Sequence, residues 1–362
     1  MESPPGAWFG KGARELGLKG KVEREPLRNL LVGLTPDGIK KLVQNAGNEN
    51  RQSGWDLTFS APKSVSVAWA QGSAEVQAAL QRIQRLAVEK AIAYLEDVAA
   101  VTRRGRGGTE TEKVGLIAAL FEHGTSRAQD PQLHTHALLL NISTREDGSS
   151  GTIRSRDIFR HKMAAGALYR AEFAAALEKE LGLTVHQADK AFAINGVSES
   201  VCREFSKRRE QIEKFLAARG ESGAVAAKFA ALETREVKGH VAREELFKIW
   251  KAFGSDHGWG KEELQKLLGA ALPERERPPL KALVTDALQA VSLSESYFAE
   301  REVLRVVADS ALGLGFGSRE IHEEVKKAFR SGQVVPLGLR DDEKVFTTPE
   351  NFLLEKIGRA HV

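Results

Sequence analysis

The sequence predicts an α+β protein, with an antiparallel sheet flanked by helices and a small, mostly helical C-terminal module. Three observations carry this reading. Runs 55–60, 113–122 and 133–141 are apolar, aromatic or β-branched over strand-like lengths. Stretches beginning at Ser73 and Ser155 repeat their apolar residues at helical spacing. Beyond residue 281, three helical segments precede two short strand-like runs, the shape of a winged helix.

In chain order, residues 1–50 are rich in Gly, Pro and charge. Short helices are expected near Lys11–Leu18 and over Thr35–Gln44, where Thr35 stands as an N-cap before Pro36. Trp55–Ser60 reads as a strand and, after Pro62, Ser64–Ala70 as a second. Val76, Leu80, Ile83, Ile92 and Leu95 then mark a long helix to about Asp97. Thr102–Gly108, with Arg103, Arg104 and Arg106 among glycines, reads as a flexible basic loop. Runs 113–122 and 133–141 are expected to pair as antiparallel strands, and Ser155–Leu181 to form one helix. Charged amphipathic helices are expected onward to about residue 258. Pro273 and the Pro278-Pro279 pair mark the strongest linker composition. The expected organisation is therefore a main domain over 1–260, a linker over 261–280, and the module over 281–362.

Composition narrows the class. The 362 residues carry 53 Lys+Arg against 49 Asp+Glu, a net charge of +4, with 42% hydrophobic residues, enough to bury a core. One cysteine, Cys202, excludes an intramolecular disulfide and fits a reducing, cytoplasmic setting. The N-terminus has no signal-peptide pattern, and no stretch approaches the about 18 apolar residues of a membrane span, so no membrane insertion is expected. The mild positive charge is compatible with a nucleic-acid partner.

Three of the nine histidines stand apart. Strand side chains alternate, so His134 and His136 share one face. Antiparallel pairing of the two runs sets His123 opposite His134, and Phe121 opposite His136, on that same face. Three imidazoles at one sheet end suit a divalent metal with an open coordination position. The ion is expected to be Mg, Mn or Zn. Lys63, Arg127, Arg154 and Arg156 fall near strand ends or in the intervening loop, and cations around an open metal favour a phosphodiester. A three-histidine metal hydrolase acting on a small substrate is the alternative from another class.

Gly54-Trp55-Asp56-Leu57-Thr58-Phe59-Ser60-Ala61-Pro62-Lys63-Ser64-Val65-Ser66 resembles a signature of conjugative relaxases of the MobF (TrwC/TraI-like) class. His123-Gly124-Thr125-Ser126-Arg127, with Asp130-Pro131-Gln132-Leu133-His134-Thr135-His136, resembles the same class's three-histidine motif. Softer matches lie at Trp8-Phe9-Gly10-Lys11-Gly12-Ala13 and Phe205-Ser206-Lys207-Arg208. The resemblance spans roughly residues 8–260.

It implies the palm-like antiparallel sheet of the HUH endonuclease superfamily. It also implies binding of single-stranded DNA at an origin of transfer, beside a hairpin, with nicking by metal-assisted attack of a tyrosine on the nic-site phosphate. By position, His123, His134 and His136 are implied to hold the metal, and Asp56 to orient one of them and assist deprotonation. Lys63, Arg127 and Arg154 are the expected DNA contacts. Relaxosome accessory and coupling proteins are implied partners.

The sequence departs from the class in one respect. The family's tyrosines stand upstream of the Trp8–Ala13 segment, and no Tyr precedes Trp8 here. The chain is therefore expected to be N-terminally truncated, to stop before a helicase, and to bind metal and single-stranded DNA with little or no nicking. Alternatives are a non-catalytic origin-binding remnant and a replication-initiator arrangement using Tyr169, although Tyr169 falls in an apolar helical stripe.

Overall fold

A computed structural model describes residues 5–189, 191–220, 222, 226, 242–269 and 277–360. The chain opens with strand β1 (Ala7–Phe9) and helices α1 (Lys11–Glu15) and α2 (Arg24–Leu31). Strand β2 (Gly54–Ser60) leads into α3 (Lys63–Gln71) and the long α4 (Ala74–Ala99). Then follow β3 (Val101–Arg104), β4 (Glu110–Lys113), β5 (Ala118–Thr125), β6 (Pro131–Leu140), β7 (Ser143–Thr144) and β8 (Ser150–Gly151). Helix α5 (Ser155–Leu181) precedes β9 (Val185–Ala188), β10 (Ala191–Ile194), α6 (Glu199–Glu204), α7 (Lys207–Arg219), α8 (Arg243–Asp256) and α9 (Lys261–Leu267). The C-terminal module comprises α10 (Leu280–Ser294), α11 (Glu300–Ser310), α12 (Ser318–Arg330), β11 (Val335–Arg340), β12 (Glu343–Thr347) and α13 (Pro349–Ala360).

The main sheet has the order β1-β5-β6-β2, with every pair antiparallel. Its centre is the β5–β6 hairpin. Strand alternation gives it two unlike faces. Phe59, Leu120, Leu133, Ala137 and Leu139 face the helical layer of α4 and α5 and join the main core. Trp8, Leu138 and Leu140 point the other way, where a second cluster with Leu30 and Val43 covers one end of the sheet. The histidine end of that second face lies outside the cluster.

Local chemistry explains most boundaries. Ser73 caps α4 by accepting from the Val76 amide, and α5 ends at Gly182 in the left-handed region (φ 66°). The C-terminal module shares the main core through Val303, Val307 and Ile321. Ion pairs reinforce its docking on α5, with Arg170 2.7 Å from Asp309 and Arg154 3.4 Å from Asp342.

Several expectations fail, each for a physical reason. Ser64–Ala70 belongs to helix α3, not to a strand. All residues from Ser64 to Gln71 are buried, so the helix has no polar face to display a 3.6-residue period. Its hydroxyls are used internally: Ser64 accepts from the Ile194 amide and Ser66 from the Leu133 amide. Thr35–Gln44 is not helical, because Thr35 and Asp37 close a turn onto Lys40 and Ile39. Arg103 and Arg104 belong to the β3–β4 hairpin rather than a flexible loop, and Arg104 pairs with Glu112 and Asp147. The β9–β10 hairpin interrupts the run expected to be helical. Helix α9 occupies the beginning of the expected linker, whose residues 270–276 lie outside the described residues, as do 223–225 and 227–241 of the expected helical run.

Candidate metal centre

The β5–β6 ladder pairs His123 with His134 and Phe121 with His136, while β2 sets Thr58 beside His136 and Ser60 beside His134. This is the register the sequence predicts. The three imidazoles meet at the sheet end, with ring centroids 5.1–5.3 Å apart and one ligand nitrogen from each within 4.8 Å of the others. Among the described residues they form the one group of three or more metal-ligating side chains found at that spacing.

Hydrogen bonds define the tautomers of two rings. His134 Nδ1 lies 2.9 Å from the Gln132 carbonyl, which can only accept, so Nδ1 carries the proton and Nε2 the lone pair. His136 Nδ1 donates to Asp56 Oδ2 at 2.7 Å, with the Thr58 hydroxyl 3.2 Å away. A carboxylate behind an imidazole fixes the ring and raises its basicity toward an ion. The donor set fits a divalent transition cation: neutral imidazoles suit Zn, Cu, Fe or Ni, whereas Mg prefers oxygen ligands. Of the expected ions, the chemistry therefore favours Zn and disfavours Mg.

The expected DNA contacts separate. Arg127 is exposed in the loop between the ligand strands. Lys63 is committed internally: its ammonium donates to the carbonyls of Pro131 and Phe205, both at 3.0 Å, and burial holds its pKa below the usual range. Arg154 lies beyond the opposite end of β6, engaged with Asp157 and Asp342 at the start of α5. Both charged heads thus have protein acceptors in this structure.

No tyrosine of the chain reaches the centre. Tyr169 is 3% exposed and donates to Gln84 Oε1 at 2.6 Å. Gln84 in turn donates to Thr135, the residue between the two β6 histidines, so Tyr169 lies against the opposite face of the sheet. Burial also pushes its phenol well above the usual range, and its place on the far face keeps it away from the three histidines. Tyr94 is buried and bonded to His161, and Tyr297 lies under Arg340 in the C-terminal module.

Sequence reasoning missed the surroundings of the loop that joins the ligand strands. Gly124, directly after His123, sits against Trp69, where a Cβ would come within 2.3 Å of the indole. Trp250 on α8 donates through Nε1 to the Gln129 carbonyl at 2.9 Å. The SAPKS stretch points to Lys63, but nothing local in sequence points to Trp250.

The TrwC relaxase family model matches residues 1–256. Multifunctional conjugation protein TraI of Escherichia coli (strain K12) is 31% identical over 319 residues, covering 82% of this chain and 18% of that protein. This chain thus spans under a fifth of that relative's length. Among solved structures, the copper-bound conjugative relaxase TrwC in complex with oriT DNA has a TM-score of 0.64 at 33% identity, covering 71% of this chain and 89% of that one. TrwC complexed with a 27-mer DNA comprising the recognition hairpin and the cleavage site gives 0.64 at 34% identity, covering 71% and 92%.

Proposed function

The chain belongs to the TrwC relaxase family, and from that premise we propose that residues 1–362 bind single-stranded origin-of-transfer DNA and hold one phosphodiester at the three-histidine centre. The observation that carries this reading is the convergence of His123, His134 and His136 on the sheet face away from α4 and α5, with Asp56 behind His136.

A divalent ion bound there would supply Lewis acidity to a non-bridging phosphate oxygen. The chain's own residues do the rest of the work now visible. Asp56 keeps the His136 proton on Nδ1, the Gln132 carbonyl does the same for His134, and the ladder keeps His123 facing His134. Arg127 is exposed in the loop between the two histidine strands, and it stands with Lys63 and Arg154 among the proposed phosphate contacts.

On this reading the partners are an origin strand with its hairpin and nic site, then relaxosome accessory and coupling proteins, in the cytoplasm. The family reaction needs a tyrosine, and Tyr94, Tyr169 and Tyr297 all stand elsewhere. Residues 1–362 alone are therefore expected to bind without nicking.

The test is fluorescence anisotropy on a hairpin-bearing single strand and its duplex control across a salt series, with a parallel nicking gel in Mn2+. Salt-dependent preference for the single strand supports the proposal. Salt-independent or absent binding favours the small-substrate metal hydrolase. A covalent, metal-dependent 5′ adduct on residues 1–362 overturns the expectation of binding without nicking.

A further inference from the structure

We propose that Lys63 and Trp250 are positioning residues for the metal centre, fixing through backbone carbonyls the loop that joins His123 to His134. The inference rests on the metal reading above.

The need for such anchors follows from where the ladder stops. The β5–β6 register shifts between His123 and Thr125, so the regular hydrogen bonds are interrupted immediately beyond the first ligand. Gln129 then adopts φ 61°, a left-handed conformation that non-glycine residues rarely hold without support. Within the loop, Ser126 and Asp130 bond each other through side chain and backbone. Those bonds set the loop's shape but not its orientation against the sheet.

Two donors from outside the loop set that orientation. Trp250 Nε1 donates to the Gln129 carbonyl at 2.9 Å, and Lys63 Nζ to the Pro131 carbonyl at 3.0 Å. Both anchors are themselves held. Trp250 is 4% exposed, and its own carbonyl accepts from Gln71 Nε2 at 2.6 Å. Lys63 also donates to the Phe205 carbonyl at the end of α6, so one ammonium joins the metal loop to the helices that follow the sheet. Lys63 and Gln71 begin and end α3, so a single buried helix fixes the loop directly at one point and through Trp250 at another. A ligand imidazole must sit within a few tenths of an ångström of its place, and an anchor on the chain beside it governs that placement.

Trp250→Phe keeps the ring and removes the N–H, and Lys63→Met keeps the stem and removes the charge. Co2+ is titrated into residues 1–362 by visible absorbance and calorimetry, beside thermal unfolding of the metal-free protein. Each variant is expected to bind Co2+ about 10-fold more weakly, with an altered ligand-field spectrum. Arg203→Ala, an exposed ion-pair control on α6, is expected to match the parent. Variants that unfold earlier yet keep the parental Co2+ affinity and spectrum show a merely structural role and overturn the inference. If Lys63→Met does not fold, Trp250→Phe decides alone. Failure of the parent itself to bind Co2+ would instead sink the metal reading on which the inference stands.

Discussion

The Asp56 carboxylate accepts a hydrogen bond from His136 Nδ1 at 2.7 Å, a side-chain tie added to the β2–β6 ladder at the metal centre. Asp56→Asn keeps the shape and removes the charge behind the ring. It is expected to weaken divalent-metal affinity by about 10- to 100-fold, with the fold intact by circular dichroism. Unchanged affinity would detach Asp56 from the centre.

His134→Ala removes the most buried of the three imidazoles. Metal uptake by calorimetry is expected to be lost, whereas affinity for single-stranded DNA at low salt is expected to fall by less than about 10-fold, because phosphate contacts dominate such binding. Equal loss of both would mean that the ion itself is the main DNA contact.

Gly124→Ala introduces a methyl group against Trp69. Over-packing of this kind costs about 1–3 kcal/mol, to be read by denaturant unfolding. The double variant Gly124→Ala with Trp69→Phe is expected to recover part of that loss, since the smaller ring vacates the contact.

Tyr169→Phe leaves Gln84 Oε1 without its donor in the core. A stability loss of about 1–3 kcal/mol is expected, with no change in metal or DNA binding. A selective loss of DNA cleavage with stability unchanged would revive a catalytic Tyr169.

Burial lowers the pKa of His322 to about 4 and that of His161 below its ordinary value, where α4, α5, α11, α12 and β12 meet. Tyr94, Asp97, Glu300, Arg301, Lys326 and Glu343 surround the pair. Both groups bind protons more readily when unfolded. Their contribution is therefore present above the unfolded value of about 6.5 and is lost as pH falls from there toward 4. The thermal midpoint is expected to drop between pH 7 and 5, and His322→Gln to flatten that slope. An equally steep slope in the variant would assign the effect elsewhere.

The ligand set was legible because it obeys two local rules, alternation within β6 and direct opposition across the β5–β6 hairpin. Asp56 was legible only through its motif; nothing in its spacing reveals that β2 lies beside β6. Helix α3 misled because complete burial erases the polar face that betrays a helix, leaving valines that alternate as in a strand. The β3–β4 hairpin misled because arginines among glycines look like a mobile loop, although Arg104 is tied to two carboxylates. The Lys63 side chain was singled out by its motif but not in its anchoring role, and Trp250 was beyond local reading altogether. Trp250 meets Gln129 across 121 residues of chain, and its bond is to a carbonyl that any residue would supply.

The pairing of His123 with His134 belongs to the same ladder that makes the sheet, so the cradle stands before any ion arrives. A small zinc module, by contrast, folds only as its metal binds. An ion held there is expected to exchange: chelation strips it while the strands stay paired, and a different transition cation then enters without refolding. Which one resides there in a cell follows from affinity order and supply. The scaffold sets where the charge sits, its imidazoles narrow the choice to transition cations, and supply decides among those.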